Sequence, residues 1–149
     1  MVAAVSNGPP ETVLEGVRRF LADFDGVEPA KGITTDLTGE QPGSLALALA
    51  GEEKNWIDIA GNRVVRQQFF LYRSCLAQDE ADRRQNQAFW ERLRLWIEER
   101  EEAGVLPLLP TSCRSEAIAW EGAGILESSG GKARFYRGML TLEYTRMKN

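Results

Sequence analysis

The chain reads as an α+β protein: a single mainly antiparallel or mixed β-sheet with two main helices packed on one face. Three observations predict this. Residues 13–24 and 89–97 repeat apolar side chains at helical spacing, the stretches between and after them fall to a period of two, and neighbouring period-two runs are separated by turn sequences. Runs of strands joined in hairpins and interrupted by helices build a sheet that carries its helices on a face. With 149 residues, 43% of them hydrophobic, there is material for one core. The expected division is a loose N-terminal tail at 1–10, "MVAAVSNGPP", and one domain over 11–149.

The first helix is predicted to open at Thr12, because Thr12 and Glu15 form a T-x-x-E capping box. Val13, Leu14, Val17, Phe20, Leu21 and Phe24 then make one apolar stripe, and Gly26 is the expected stop. "SLALALA" at 44–50 predicts a strand with a bulky side and a small side. "NWIDIA" and "RVVRQQFFLYRSC" follow as two more strands, set antiparallel by a turn at Gly61-Asn62. Asp79, Glu80 and Asp82 place negative charge at the start of a second helix, where the helix dipole favours it. Its predicted stripe is Phe89, Leu93, Trp96 and Ile97, and Gly104 ends it. Residues 115–147 read as a long hairpin broken by "SSGG", with Tyr136, Leu140, Leu142 and Tyr144 on one face of its last strand.

Composition narrows the chemistry. The net charge of −4 argues against a sequence-independent nucleic-acid binder, which needs a basic face. The chain has no histidine, and Cys75 and Cys113 lack zinc-site spacing, so no metal ligand set is expected. The same lack removes the usual base for a cysteine or serine nucleophile, and both cysteines read as small, reduced, buried side chains. Lys132 follows two glycines, but it lacks the phosphate-loop spacing and is followed by Ala133. Gly122-Ala123-Gly124 lies in a strand pattern, where glycines mark a bulge. Glu116 with Glu121 could form an acid–base pair only in a pocket that separates their pKa values, and surface charge is the simpler reading. No catalytic residue, cofactor site or metal site is expected. No leader pattern or membrane-length apolar run appears either, so a soluble, cytoplasmic chain is expected.

The features left over concern assembly. Glu98, Glu99, Glu101 and Glu102 crowd the end of the second helix, where negative charge opposes the dipole. Arg94 and Arg100 offset part of this. A solvated helix end is one reading. The other starts from residues 132–149, where five basic residues against Glu143 leave +4, so the remainder of the chain carries −8. A subunit with separate acidic and basic faces can join head to tail and, if the rotation closes, make a ring. The candidate interface or lumen residues are therefore Glu98, Glu99, Glu101, Glu102, Arg134 and Arg137. Trp90, one step off the predicted stripe, is added as an exposed anchor. Trp56, Trp96 and Trp120 are expected to be buried. Polar loops at 34–43 and 77–82 are expected contact sites.

Four stretches resemble the tail terminator, or tail completion, proteins of long-tailed bacteriophages and prophages, often described as minor capsid or minor tail proteins. They are "VLEGVRRFLADF", "RQQFFLYRS", "FWERLRLWIEEREEAGVLPLLP" and "AIAWEGAGILESSGGKARFYRGMLTLEY". The helix exit, a W-x-E-E helix followed by a glycine and a Leu-Pro segment, is the most telling. "TTDLTGEQPG" and the N-terminal tail carry no part of the match. The resemblance implies an α+β subunit of a homo-hexameric ring at the head-proximal end of the tail tube. Its implied partners are the tail tube protein and a head completion or connector protein, with DNA only in transit through the lumen and no membrane. Its implied location is the virion tail or neck, and the host cytoplasm during assembly. The resemblance transfers no catalytic residue. Three other readings remain open on sequence: a phage neck or connector protein, a small non-enzymatic adaptor, and a minor enzyme.

Overall fold

The computed structural model describes residues 8–27, 32–35, 43–75, 80–128 and 134–148. In chain order these are α1 (Val13–Ala22), β1 (Ile33–Thr34), β2 (Leu45–Ile57), β3 (Arg63–Cys75), α2 (Glu80–Glu102), β4 (Cys113–Ser128) and β5 (Arg134–Arg146). The strands form one five-stranded sheet in the order β1-β2-β3-β5-β4. Only β1 against β2 is parallel; the other three pairings are antiparallel. The fold is the expected α+β, with a mixed sheet and both helices packed on it.

Helix α1 starts where the sequence predicts. Thr12 Oγ1 accepts the Glu15 N–H at 3.0 Å, the N-terminal half of a capping box. The Glu15 carboxylate turns forward instead, to Arg18 at 2.6 Å and Arg19 at 3.3 Å. The helix also ends earlier than Gly26: Asp23 is the C-cap, and the Phe24 N–H reaches back only to the Leu21 carbonyl. Residues 8–10 of the expected loose tail lie against this helix, with Pro10 buried and the Gly8 carbonyl accepting from Arg19 at 2.8 Å. Helix α2 stops as predicted. Gly104 has φ 75, Val105 N–H reaches the Arg100 carbonyl at 2.8 Å, and Gly104 N–H reaches Glu101 at 3.0 Å, which closes a Schellman motif. Asp79 and loop residues 36–42 and 77–79 lie outside the described residues.

"SLALALA" and "NWIDIA" are one strand rather than two. A register shift between Ala50 and Lys54 absorbs Gly51–Glu53 as a bulge, so pairing with β3 resumes beyond it. The third strand before α2 is instead the short β1. In β4, shifts on both sides of Gly122 place the bulges at the glycines that the sequence marks for them.

The core lies between the helices and one face of the sheet. Leu45 and Leu47 of β2, Val65, Phe69 and Leu71 of β3, and Leu140, Leu142 and Tyr144 of β5 are buried there. They meet Val17, Phe20 and Leu21 of α1 and Phe89, Leu93 and Ile97 of α2. Phe24 joins the two helices edge-on to Phe89, with centroids 5.8 Å apart. Each aromatic of this size removes on the order of 150–250 Å² of surface from water and dominates the packing energy. The alanine side of β2 faces the other way, onto a sheet face that carries neither helix. Among the described residues, no helix is long and apolar enough to cross a membrane.

Candidate assembly surfaces

The glutamates at the end of α2 do different things. Glu98 pairs with Arg94 one turn earlier at 3.4 Å, with both side chains about half exposed. Glu101 is exposed but accepts the Ile118 backbone N–H at 3.0 Å. Ile118 lies in β4, an edge of the sheet, so Glu101 satisfies a donor that no further strand reaches. Its negative charge opposes the helix dipole but has a structural role inside the chain. Glu99 and Glu102 are exposed, as an interface or lumen residue must be. Arg100 lies over the Trp96 ring at 5.1 Å.

Trp90 is not an exposed anchor. It is 4% exposed and stacks on Trp120 with ring centroids 5.6 Å apart. The reason lies beneath the pair, at Gly138 of β5. A Cβ there would collide with the Trp120 ring, 2.6 Å from Cζ2, and would lie 3.0 Å from Trp90 Cζ3. The missing side chain is what lets two indoles lie against the sheet. Asn86, one turn before Trp90, is also buried and accepts Arg73 at 3.0 Å, so the buried stripe of α2 is wider than its apolar residues indicate. The cleft beside this stack, about 540 Å³, is rimmed by Arg83, Glu91, Arg94 and Glu121.

Arg137 lies on the sheet face opposite the helices, beside Phe70, with its guanidinium 4.3 Å from the ring centroid. The sheet therefore separates Arg137 from the α2 glutamates. Any pairing between these groups must be between chains. Arg134 begins β5, and its side chain lies outside the described residues. On the same open face, Arg66 bridges to Glu143 at 3.0 Å and lies over the Trp56 ring at 5.5 Å. A trough of about 420 Å³ crosses this face from Glu52 and Lys54 in β2 to Ala117 and Ala119 in β4. Of the two carboxylates weighed as a pair, Glu116 accepts from Arg114 at 2.9 Å and from Thr145 at 3.0 Å, and Glu121 lines the trough.

Among the described residues, the most exposed apolar surface is one that sequence reasoning missed. Trp56 is 43% exposed, Ile57 53% and Ile59 107%, all at the end of the β2–β3 hairpin. The expectation that Trp56 is buried fails because Trp56 pairs with Val64 and faces the side of the sheet that carries neither helix, beside Arg66. A second apolar surface follows α2, where Val105 and Leu108 stand exposed beside α1. The signal for the first was present: isoleucine at a hairpin turn has no core to enter. Cys113 is half-buried, and burial pushes its thiol above the ordinary value. No protein-family model matches this chain, and no curated protein matches it.

Proposed function

We propose that this chain is a structural assembly subunit without catalytic activity, a tail terminator of a long-tailed phage or prophage. In this reading it forms a ring on the head-proximal end of the tail tube, stops further tube growth and presents a surface to the head. The observation that carries the reading is the hairpin end, where Trp56, Ile57 and Ile59 stand in water. Large apolar side chains grouped on a surface mark a protein contact. The resemblance of the helix exit and the closing hairpin to the tail terminator family supplies the kind of contact.

The charge pattern supports the same reading. Glu52, Glu121 and Glu143 outnumber Lys54 and Arg66 around the open-face trough. A lumen with acidic excess lets DNA pass, because it neutralises no phosphates. Electron microscopy of lysates from an inducible lysogen with this gene deleted tests the proposal. Overlong tails without heads are the expected result. Tails of normal length without heads would point to a connector, and complete particles would overturn the phage-assembly reading in favour of an adaptor.

A further inference from the structure

We infer that the cleft between α2 and strands β4 and β5 binds a small neutral molecule, a planar ring whose carbonyl oxygen accepts a hydrogen bond from the Trp90 indole. This goes beyond the assembly reading and does not depend on it.

The cleft has the volume of a ligand site. It encloses about 540 Å³, within the range of roughly 300–1,000 Å³ in which small molecules are held. Helix α2 supplies one wall through Asn86, Gln87 and Trp90, and the sheet supplies the other through Trp120 and Tyr136. The aromatic side chains on both walls give a flat ring surfaces to lie on.

The donor specifies the ligand. Trp90 is 4% exposed and its Nε1–H has no hydrogen-bond partner, which is true of no other buried side-chain nitrogen or oxygen among the described residues. A buried donor left unpaired is costly, and because an indole can only donate, an acceptor is what relieves it. Trp90 Cζ3 lies 3.0 Å from where a Gly138 Cβ would stand. Nε1 is at the opposite end of the indole, so the N–H points away from that glycine while the residue lines the cleft. The nitrogen is also shut off from solvent, so an arriving carbonyl gains a bond without displacing one to water. It reaches the nitrogen by turning aside Gln87 or Glu91, exposed side chains of the same wall.

Charge sets the rest of the class. Arg83 and Arg94 at the mouth face Glu91 and Glu121, and Glu98 pairs with Arg94 at 3.4 Å. An anion therefore finds no surplus of positive charge, and a cation without an oxygen brings the indole no acceptor. A neutral carbonyl compound meets both conditions.

Nitrogen-15 NMR titration of the full chain with benzamide, a flat ring with a neutral carbonyl, tests the site. The Trp90 indole signal, assigned from its through-space contacts, is expected to move downfield and to saturate at about millimolar benzamide. The Trp56 indole, on the open sheet face beside Arg66, should stay in place. Benzoate is expected to bind several-fold more weakly, and benzylamine to leave the Trp90 signal unmoved. Trp90→Phe, which keeps a ring but not the N–H, should weaken benzamide binding roughly threefold or more, read at the Trp120 indole. Its amide spectrum reports whether it is folded, and the wild-type titration decides the matter if it is not. A Trp90 signal unmoved to the solubility limit of benzamide, or equal shifts at Trp56 and Trp90, would overturn the site. Undiminished binding to folded Trp90→Phe would overturn the role of the indole donor, and benzoate binding as tightly as benzamide would overturn the ligand class.

Discussion

Glu101, in the last turn of α2, accepts a hydrogen bond at 3.0 Å from the backbone N–H of Ile118 in the edge strand β4. This contact joins the end of the helix to the end of the sheet. It also separates one glutamate from its neighbours: Glu101→Ala should destabilise the fold by about 1 kcal/mol, the net worth of such a bond. Glu101→Gln, which keeps an acceptor, should recover part of that loss. Glu99→Ala and Glu102→Ala should stay within about 0.5 kcal/mol of the wild type. Urea unfolding of the four variants checks the ranking, and equal losses at all positions would show that the bond contributes nothing.

Gly138 is the second test. Adding one methyl group as Gly138→Ala forces the Trp120 and Trp90 rings off the sheet, and overpacking of this kind costs roughly 1–3 kcal/mol. The expected change is a lower urea midpoint with altered tryptophan fluorescence. An unchanged midpoint would mean that the indole stack moves freely.

The ion pairs of α1 predict an acid dependence. The hydrogen bond from Arg18 holds the Glu15 carboxyl below its ordinary value, helped by Arg19 and opposed by partial burial. A lowered folded-state pKa contributes stability above the unfolded value of about 4.3, and that contribution fades as pH falls through the folded value. Glu15→Gln should therefore be less stable than wild type near neutral pH, by under about 1 kcal/mol for a pair this exposed. The difference should shrink in acid. Thermal melts of both proteins across that range decide it.

Cys113 should be a slow nucleophile. Burial raises its pKa, with Arg146 only partly opposing, so little thiolate is present near neutral pH. In a Cys75→Ser background, iodoacetamide should alkylate Cys113 about fivefold or more slowly in the folded chain than in urea. Equal rates would show that the thiol is open to solvent.

Much of the architecture was legible because it is written in local periods. The Thr12 cap, the Gly104 stop, the antiparallel closing hairpin and the Leu140-Leu142-Tyr144 face each depend on residues within a few positions of one another. Periodicity tells which side chains share a face, and cap and turn residues tell where that face ends.

The tertiary structure alone decided the rest. Trp90 is buried because Gly138, nearly fifty residues away in sequence, has no side chain to hold the indoles off. Glu101 is engaged because β4 happens to end the sheet beside it, and Trp56 is exposed because it stands on the sheet face that neither helix covers. Each of these depends on which distant surface covers a residue. The sequence by itself determined the elements and their inward faces; long-range packing decided which of its tryptophans and glutamates remain available to another chain.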